Sequence, residues 1–304
     1  MYRLLKENSP FALGLAAALN FLLLIGLLIR AVFVPDPKIT WLEYSLSLVL
    51  FFSISFLFTQ LLSKHRLLPF RTYLPFSIFF LCSAPFLSHP EAWKFGLVGI
   101  LLIYALDRCL SLAEISRINR SVLNASMAIG LASYFILGAL ASIVVVPIAL
   151  LNFQHLSFRH SLMILTGIAI PWFLIWEFHF LFDLSTDYFF TLNILPSSFS
   201  LFELAGLFLL ALLWIISIPH LFRSLNRTKL KTRQSVLLVV WASLFSCTAS
   251  LLISGLSIVQ VVLLGPALIM FISYRLIESK KTWHADLILL LCMFIAVYNL
   301  FFLN

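Results

Sequence analysis

Apolar runs long enough to cross a bilayer recur from one end of this chain to the other, and few charges interrupt them. The hydrocarbon core of a bilayer is about 30 Å thick, a distance that takes about 20 residues of α-helix. Backbone N–H and C=O groups find no water there, so a crossing segment must satisfy them internally, as a helix does. Runs of that kind fall at 11–29, 44–62, 72–88, 92–110, 122–137, 139–153, 161–182, 200–219, 235–254, 257–276 and 285–302. They predict an all-α polytopic transmembrane helix bundle of about eleven spans, forming one integral membrane domain over 1–304. Composition agrees: 62% of the 304 residues are hydrophobic and 11% are charged, against about 45–50% and about 25% in soluble domains. A soluble fold of this size cannot hide that much apolar surface. A soluble enzyme, a disordered chain, a collagen and a small disulfide scaffold are all excluded.

The run from Ser121 to Phe153 is 33 residues without a charge. As one helix it would be about 50 Å long, too long for an ordinary span. Its flanks are basic, with Arg117 and Arg120 before it and Arg159 after it. If basic flanks lie on one side of the membrane, the run crosses an even number of times or re-enters. A short helix hairpin at 122–153, turning near Gly138, satisfies this, with full crossing and re-entry both open.

Basic residues also orient the chain. With the N-terminus cytoplasmic, 17 of the 20 Lys and Arg fall in inner segments, as the positive-inside rule requires. Asn304 is then expected outside. The net charge of +8 is read as this orientation signal, with no nucleic-acid partner implied. Arg3 and Lys6 precede an apolar run that continues through Phe21 to Ile29. That is longer than a signal-peptide core, so an uncleaved first span is expected. Cys82, Cys109, Cys247 and Cys292 form no Cys-x-x-Cys pair. Neither a metal, a cofactor nor a disulfide framework is expected.

The seventh span carries the most pointed pattern. Trp172, Trp176, His179 and Asp183 recur at spacings of four, three and four, which puts them on one side of a helix. Glu177 lies beside them. One reading is an outward-facing polar cavity, where aromatic faces stack on a sugar or lipid headgroup and a carboxylate or imidazole handles a proton. The other is an aromatic belt at the membrane interface. Asp36 and Glu43 flank the first outer loop and are candidate catalytic bases. Arg223, Arg227, Lys229, Lys231 and Arg233 form the densest basic run, either a phosphate or anionic-lipid contact or a topology signal alone. Ser243, Ser246, Cys247, Ser250 and Ser254 stripe one face of the ninth span, where small residues suit close helix packing. Pro171 and Pro266 interrupt helices and are candidate hinges.

Three stretches carry a resemblance. They are Asn8-Ser-Pro-Phe; His65-Arg-Leu-Leu-Pro with Thr72-Tyr-Leu-Pro; and Leu123-Asn-Ala-Ser-Met-Ala-Ile-Gly-Leu-Ala-Ser-Tyr, continuing to Leu156-Ser-Phe-Arg-His-Ser and Leu165-Thr-Gly-Ile-Ala-Ile-Pro. Together they resemble an uncharacterised family of multi-pass inner-membrane proteins from Bacteroidota, over roughly 1–180. The resemblance implies a bacterial inner membrane and no assigned activity. The acidic first outer loop is similar to that of polyprenyl-phosphate-dependent membrane glycosyltransferases, and the hairpin to helix pairs of glycosyltransferases, polysaccharide polymerases and transporters. Three functions follow as expectations. The first is envelope biogenesis, with a lipid-linked glycan or lipid handled at the outer leaflet. The second is a proton-coupled transporter or flippase, and the third a non-catalytic assembly subunit. Whether the chain is an enzyme stays open among them. The expected partners are the lipid bilayer and a polyprenyl-phosphate-linked substrate.

Overall fold

The computed structural model describes residues 41–69, 72–83, 92–113, 118–182, 215–219, 221–223, 225, 228–254, 258–278 and 290. The described chain is helical, with no strand among the described residues. Its main elements are α1 (Trp41–Lys64), α2 (Leu74–Ser83), α3 (Ala92–Ser111), α4 (Ile118–Phe135), a 3-10 helix (Leu137–Val144), α5 (Val145–Asn152), α6 (Phe158–Leu181), α7 (Leu230–Ser254) and α8 (Ile258–Glu278). Within α1, α6 and α7, the stretches Ser45–Lys64, Phe158–Leu181 and Leu230–Leu251 are long and apolar enough to cross a membrane. The expected span at 11–29, all of 285–302 but residue 290, and most of 200–219 lie outside the described residues.

The chain divides into two compact units, 1–96 with 198–229 and 267–304, and 97–197 with 230–266. In the first unit α1 and α2 pack through aromatic rings. Phe52 meets Phe76 edge-on with centroids 5.2 Å apart, and Phe58 lies 6.1 Å from Phe79. The hydroxyls of α1 are satisfied within the helix. Ser47, Ser53, Ser55 and Thr59 each donate to the carbonyl four residues back, at 2.7–2.9 Å, so polar side chains need no water in an apolar setting. Gly96 lets α3 approach α1, since a Cβ there would stand 2.7 Å from the Leu50 Cβ.

α1 ends in a Schellman motif. The Leu67 N–H reaches the Leu62 carbonyl, and the Arg66 N–H reaches that of Ser63, with Arg66 left-handed at φ 51°. α5 ends the same way: His155 N–H to Leu150 O, Gln154 N–H to Leu151 O, and Gln154 at φ 59°. Both left-handed positions usually hold glycine.

The second unit is organised by α4 and α6. Their paired residues rise together along the sequence: Asn119 with His160, Ser126 with Gly167, Ser133 with Trp172 and Tyr134 with His179. The two helices therefore run parallel, and the segment joining them must return along the length of α4. α4 has 18 residues, about 27 Å of helix. The return begins at the extended residue Ile136. It then takes eight residues of 3-10 helix and eight of α-helix, about 28 Å at their respective rises. The expected hairpin is thus present, and it turns two residues before Gly138. Its second arm is sixteen residues long yet matches α4, because a 3-10 helix rises farther per residue than an α-helix.

α7 lies against the 3-10 helix and α5. Its Ser243, Ser246, Cys247 and Ser250 are buried, as the small-residue stripe predicts. Asn152 at the end of α5 donates to the Gln234 carbonyl at 3.0 Å. Val98, Ala132 and Ala139 form a core wrapped by Leu101, Leu102, Phe135 and Ile136.

Candidate functional site

α6 starts with Ser157 as its cap, the side-chain oxygen accepting the His160 N–H. The His160 ring closes the turn. Its Nδ1 lies 2.7 Å from the His155 carbonyl oxygen. Nε2 meets the Asn119 Oδ1 of α4 at 3.1 Å. About two turns further on, the helices touch through backbone. A Cβ on Gly167 would stand 2.6 Å from the Ser126 Cβ, and one on Gly130 would stand 3.0 Å from the Ile168 Cα.

Beyond Pro171 the contact becomes polar. The Trp172 indole N–H donates to the Ser133 Oγ at 2.9 Å, and that hydroxyl donates to the Gly130 carbonyl at 2.7 Å. The Tyr134 hydroxyl and His179 Nε2 share a hydrogen bond at 3.3 Å. His179 is 7% exposed. A ring of this polarity is costly in an apolar setting without such a partner.

The aromatic stripe therefore divides. Trp172 and His179 turn into the α4 contact. Trp176 stands about 60° round the helix from His179 at 100° per residue and is 54% exposed. It stacks on Phe180, with centroids 6.0 Å apart and planes 21° apart, and leans on Phe173 at 6.2 Å. Glu177 is exposed beside this ladder. Asp183 and Asp36 lie outside the described residues.

Glu43 is half-buried in the first turn of α1, in the first unit, with its carbonyl accepting from Ser47. Of the basic run, Arg223 and Lys229 are exposed in the first unit, and Lys231 and Arg233 are exposed in the first turn of α7, in the second. Arg227 lies outside the described residues. Two cations at a helix N-terminus oppose the helix dipole, so their place there answers to something other than helix stability. Among the described residues no group of three His, Cys, Asp or Glu could hold a metal ion.

Reading the seventh span alone misses Asn119, Ser126, Gly130, Ser133 and Tyr134, which face it from α4. The signal for them is the spacing Ser126, Gly130, Ser133, a ridge of small residues on one helix face. What the arrangement can do chemically is bounded. The Trp172 N–H and the His179 Nε2 are engaged between helices, while the Trp176 ring face and the Glu177 carboxylate are presented outward.

Fold and site together define a helical membrane protein with an aromatic rim on one clamped helix. No family model matches the chain, and neither a curated protein nor a solved structure matches it.

Proposed function

We propose that this chain is a multi-pass protein of a bacterial inner membrane that acts in cell-envelope biogenesis, handling a lipid or lipid-linked glycan at the outer leaflet. The observation that supports this reading is the exposed Phe173, Trp176 and Phe180 ladder with Glu177 beside it, on a helix fixed to α4 by three side-chain hydrogen bonds. Aromatic faces bind sugar rings and prenyl chains, and a carboxylate at the same place bonds hydroxyls. A glycosyltransferase-like step takes its base from Asp36 or Glu43, and the basic residues of 223–233 meet a polyprenyl phosphate. Membership of the Bacteroidota family is part of the same proposal. Trp176→Ala and Glu177→Gln, each made in the full chain and expressed to normal level, are expected to reduce the envelope glycans made by cells. Unchanged glycans in both variants would sink the reading and leave the assembly-subunit role.

A transporter or flippase is the second reading. The 3-10 stretch Leu137–Val144 favours it, since discontinuous helices line the sites of many transporters. In that reading Pro171 and Pro266 are the hinges, and Glu177 or Asp183 carries the proton. Flux that collapses with the proton gradient, and that Glu177→Gln abolishes, would separate it from the first.

A further inference from the structure

At the end of α1 away from Glu43 lies a partly open cavity of about 300 Å³, lined by Thr59, Leu62, Ser63, Arg66, Leu68, Pro69 and Thr72. Thr59, Leu62, Ser63 and Arg66 share one face of the α1 end, at helical spacing. Leu68, Pro69 and Thr72 come from the chain as it returns toward α2. We propose that this cavity is a binding site for the phosphate headgroup of an anionic phospholipid, with the Arg66 guanidinium as its principal contact.

Four observations carry this. First, the location fits a headgroup: Ser45–Lys64 is a membrane-span candidate, and the cavity occupies its last turns and the residues just beyond. Second, Arg66 has no carboxylate near it in sequence, since 44–90 contains no Asp or Glu. Among the described residues no hydrogen bond or ion pair engages its guanidinium, and a guanidinium matches phosphate oxygens bidentately. Third, Arg66 holds a left-handed backbone at φ 51°. That position suits glycine, and Lys64 already supplies positive charge at this helix end. A strained arginine at such a point indicates a use for its side chain. Fourth, the walls are fixed. The fully buried Tyr274 donates its hydroxyl to the Leu67 carbonyl, and the Thr72 Oγ1 accepts the Leu74 N–H at the start of α2. The carbonyls of Leu61, Leu62 and Ser63 are all taken by the N–H groups of residues 65, 67 and 66. Three of the last four carbonyls of α1 are therefore engaged, which lessens the negative charge that an incoming anion meets.

The test uses the purified full chain in nanodiscs of phosphatidylglycerol or phosphatidylcholine, and in detergent with inorganic phosphate or an equal ionic strength of chloride. Thermal unfolding and lipid retention by native mass spectrometry are the readouts. Phosphatidylglycerol is expected to raise the unfolding temperature above the phosphatidylcholine value and to be retained preferentially. Arg66→Asn and Arg66→Gly both accept the left-handed backbone. They are expected to keep the phosphatidylcholine unfolding temperature while weakening phosphatidylglycerol retention about tenfold. Equal behaviour of the two lipids overturns the proposal, as does a phosphatidylglycerol preference that survives in both variants. Inorganic phosphate alone reproducing the whole shift overturns the lipid assignment in favour of a free anion.

Discussion

Trp172 and Trp176 are four residues apart and nearly identical to sequence reasoning, yet their surroundings differ. The Trp172 N–H meets the buried Ser133 hydroxyl, while Trp176 is more than half exposed among aromatic rings. Trp172→Phe removes one interhelical hydrogen bond and is expected to cost about 0.6 kcal/mol of stability, and at most about 1.7, the average and the maximum for such bonds in membranes. Trp176→Phe keeps the ring stacking and is expected to change stability by less than about 0.5 kcal/mol. Unfolding of the two variants in one detergent decides it, and equal losses would argue against the division of the stripe. Residue identity pointed to this helix because intramembrane ionisable groups are rare. Which ring turns inward was not legible, because helical spacing alone leaves Trp172, Trp176 and His179 within about 60° of one another.

The helix pair α4 and α6 is held by what its glycines lack. At Gly167 an added methyl would press on the Ser126 Cβ at 2.6 Å, with the Leu123 carbonyl at 3.2 Å and the Met127 nitrogen at 3.3 Å behind it. Gly167→Ala is expected to destabilise the chain by about 1–3 kcal/mol, as overpacking does. Adding Ser126→Gly removes the nearest contact but leaves the two backbone ones, so the double variant is expected to recover part of the loss and not all of it. A double-mutant cycle measured by thermal unfolding reads this coupling directly. Strict additivity of the two changes would mean that the helices do not meet there. The small-residue spacing on α4 was visible in the sequence, but its partner was not. Ridge and partner lie 41 residues apart, and nothing local links them.

Across the second unit, the parallel run of α4 and α6 gathers basic residues at one end. Ser111 of α3 reaches Ser121 of α4 at 3.2 Å, Asn119 reaches His160, and Asn152 reaches Gln234. These contacts bring Arg108, Arg120, Arg159, Lys231 and Arg233 to the same end, the arrangement that the positive-inside rule predicts for a cytoplasmic face. Single cysteines at Arg120, Phe158 and Leu181, in a chain whose native cysteines are replaced, test this. Arg120→Cys and Phe158→Cys are expected to react with an impermeant thiol reagent from one side of the membrane, and Leu181→Cys from the other. Labelling of positions 120 and 158 from opposite sides would show that 137–152 does not return across the membrane.

By itself the sequence determined that the chain is helical and membrane-embedded. It also placed helices at 44–62, 92–110, 161–182, 235–254 and 257–276, all matched by described helices. Those properties follow from hydropathy summed along a local stretch, and from a bilayer that forces each backbone to bond within its own helix. Only the tertiary structure decided that the short hairpin arm matches its partner by adopting 3-10 geometry, and that α4 and α6 run parallel. It also decided that Trp172 and His179 are engaged while Trp176 and Glu177 stay exposed. Those outcomes depend on pairs such as Ser133 with Trp172 and Tyr134 with His179, 39 and 45 residues apart. Each such bond forms only after a return segment has brought two helices side by side, and local patterning carries no record of that meeting.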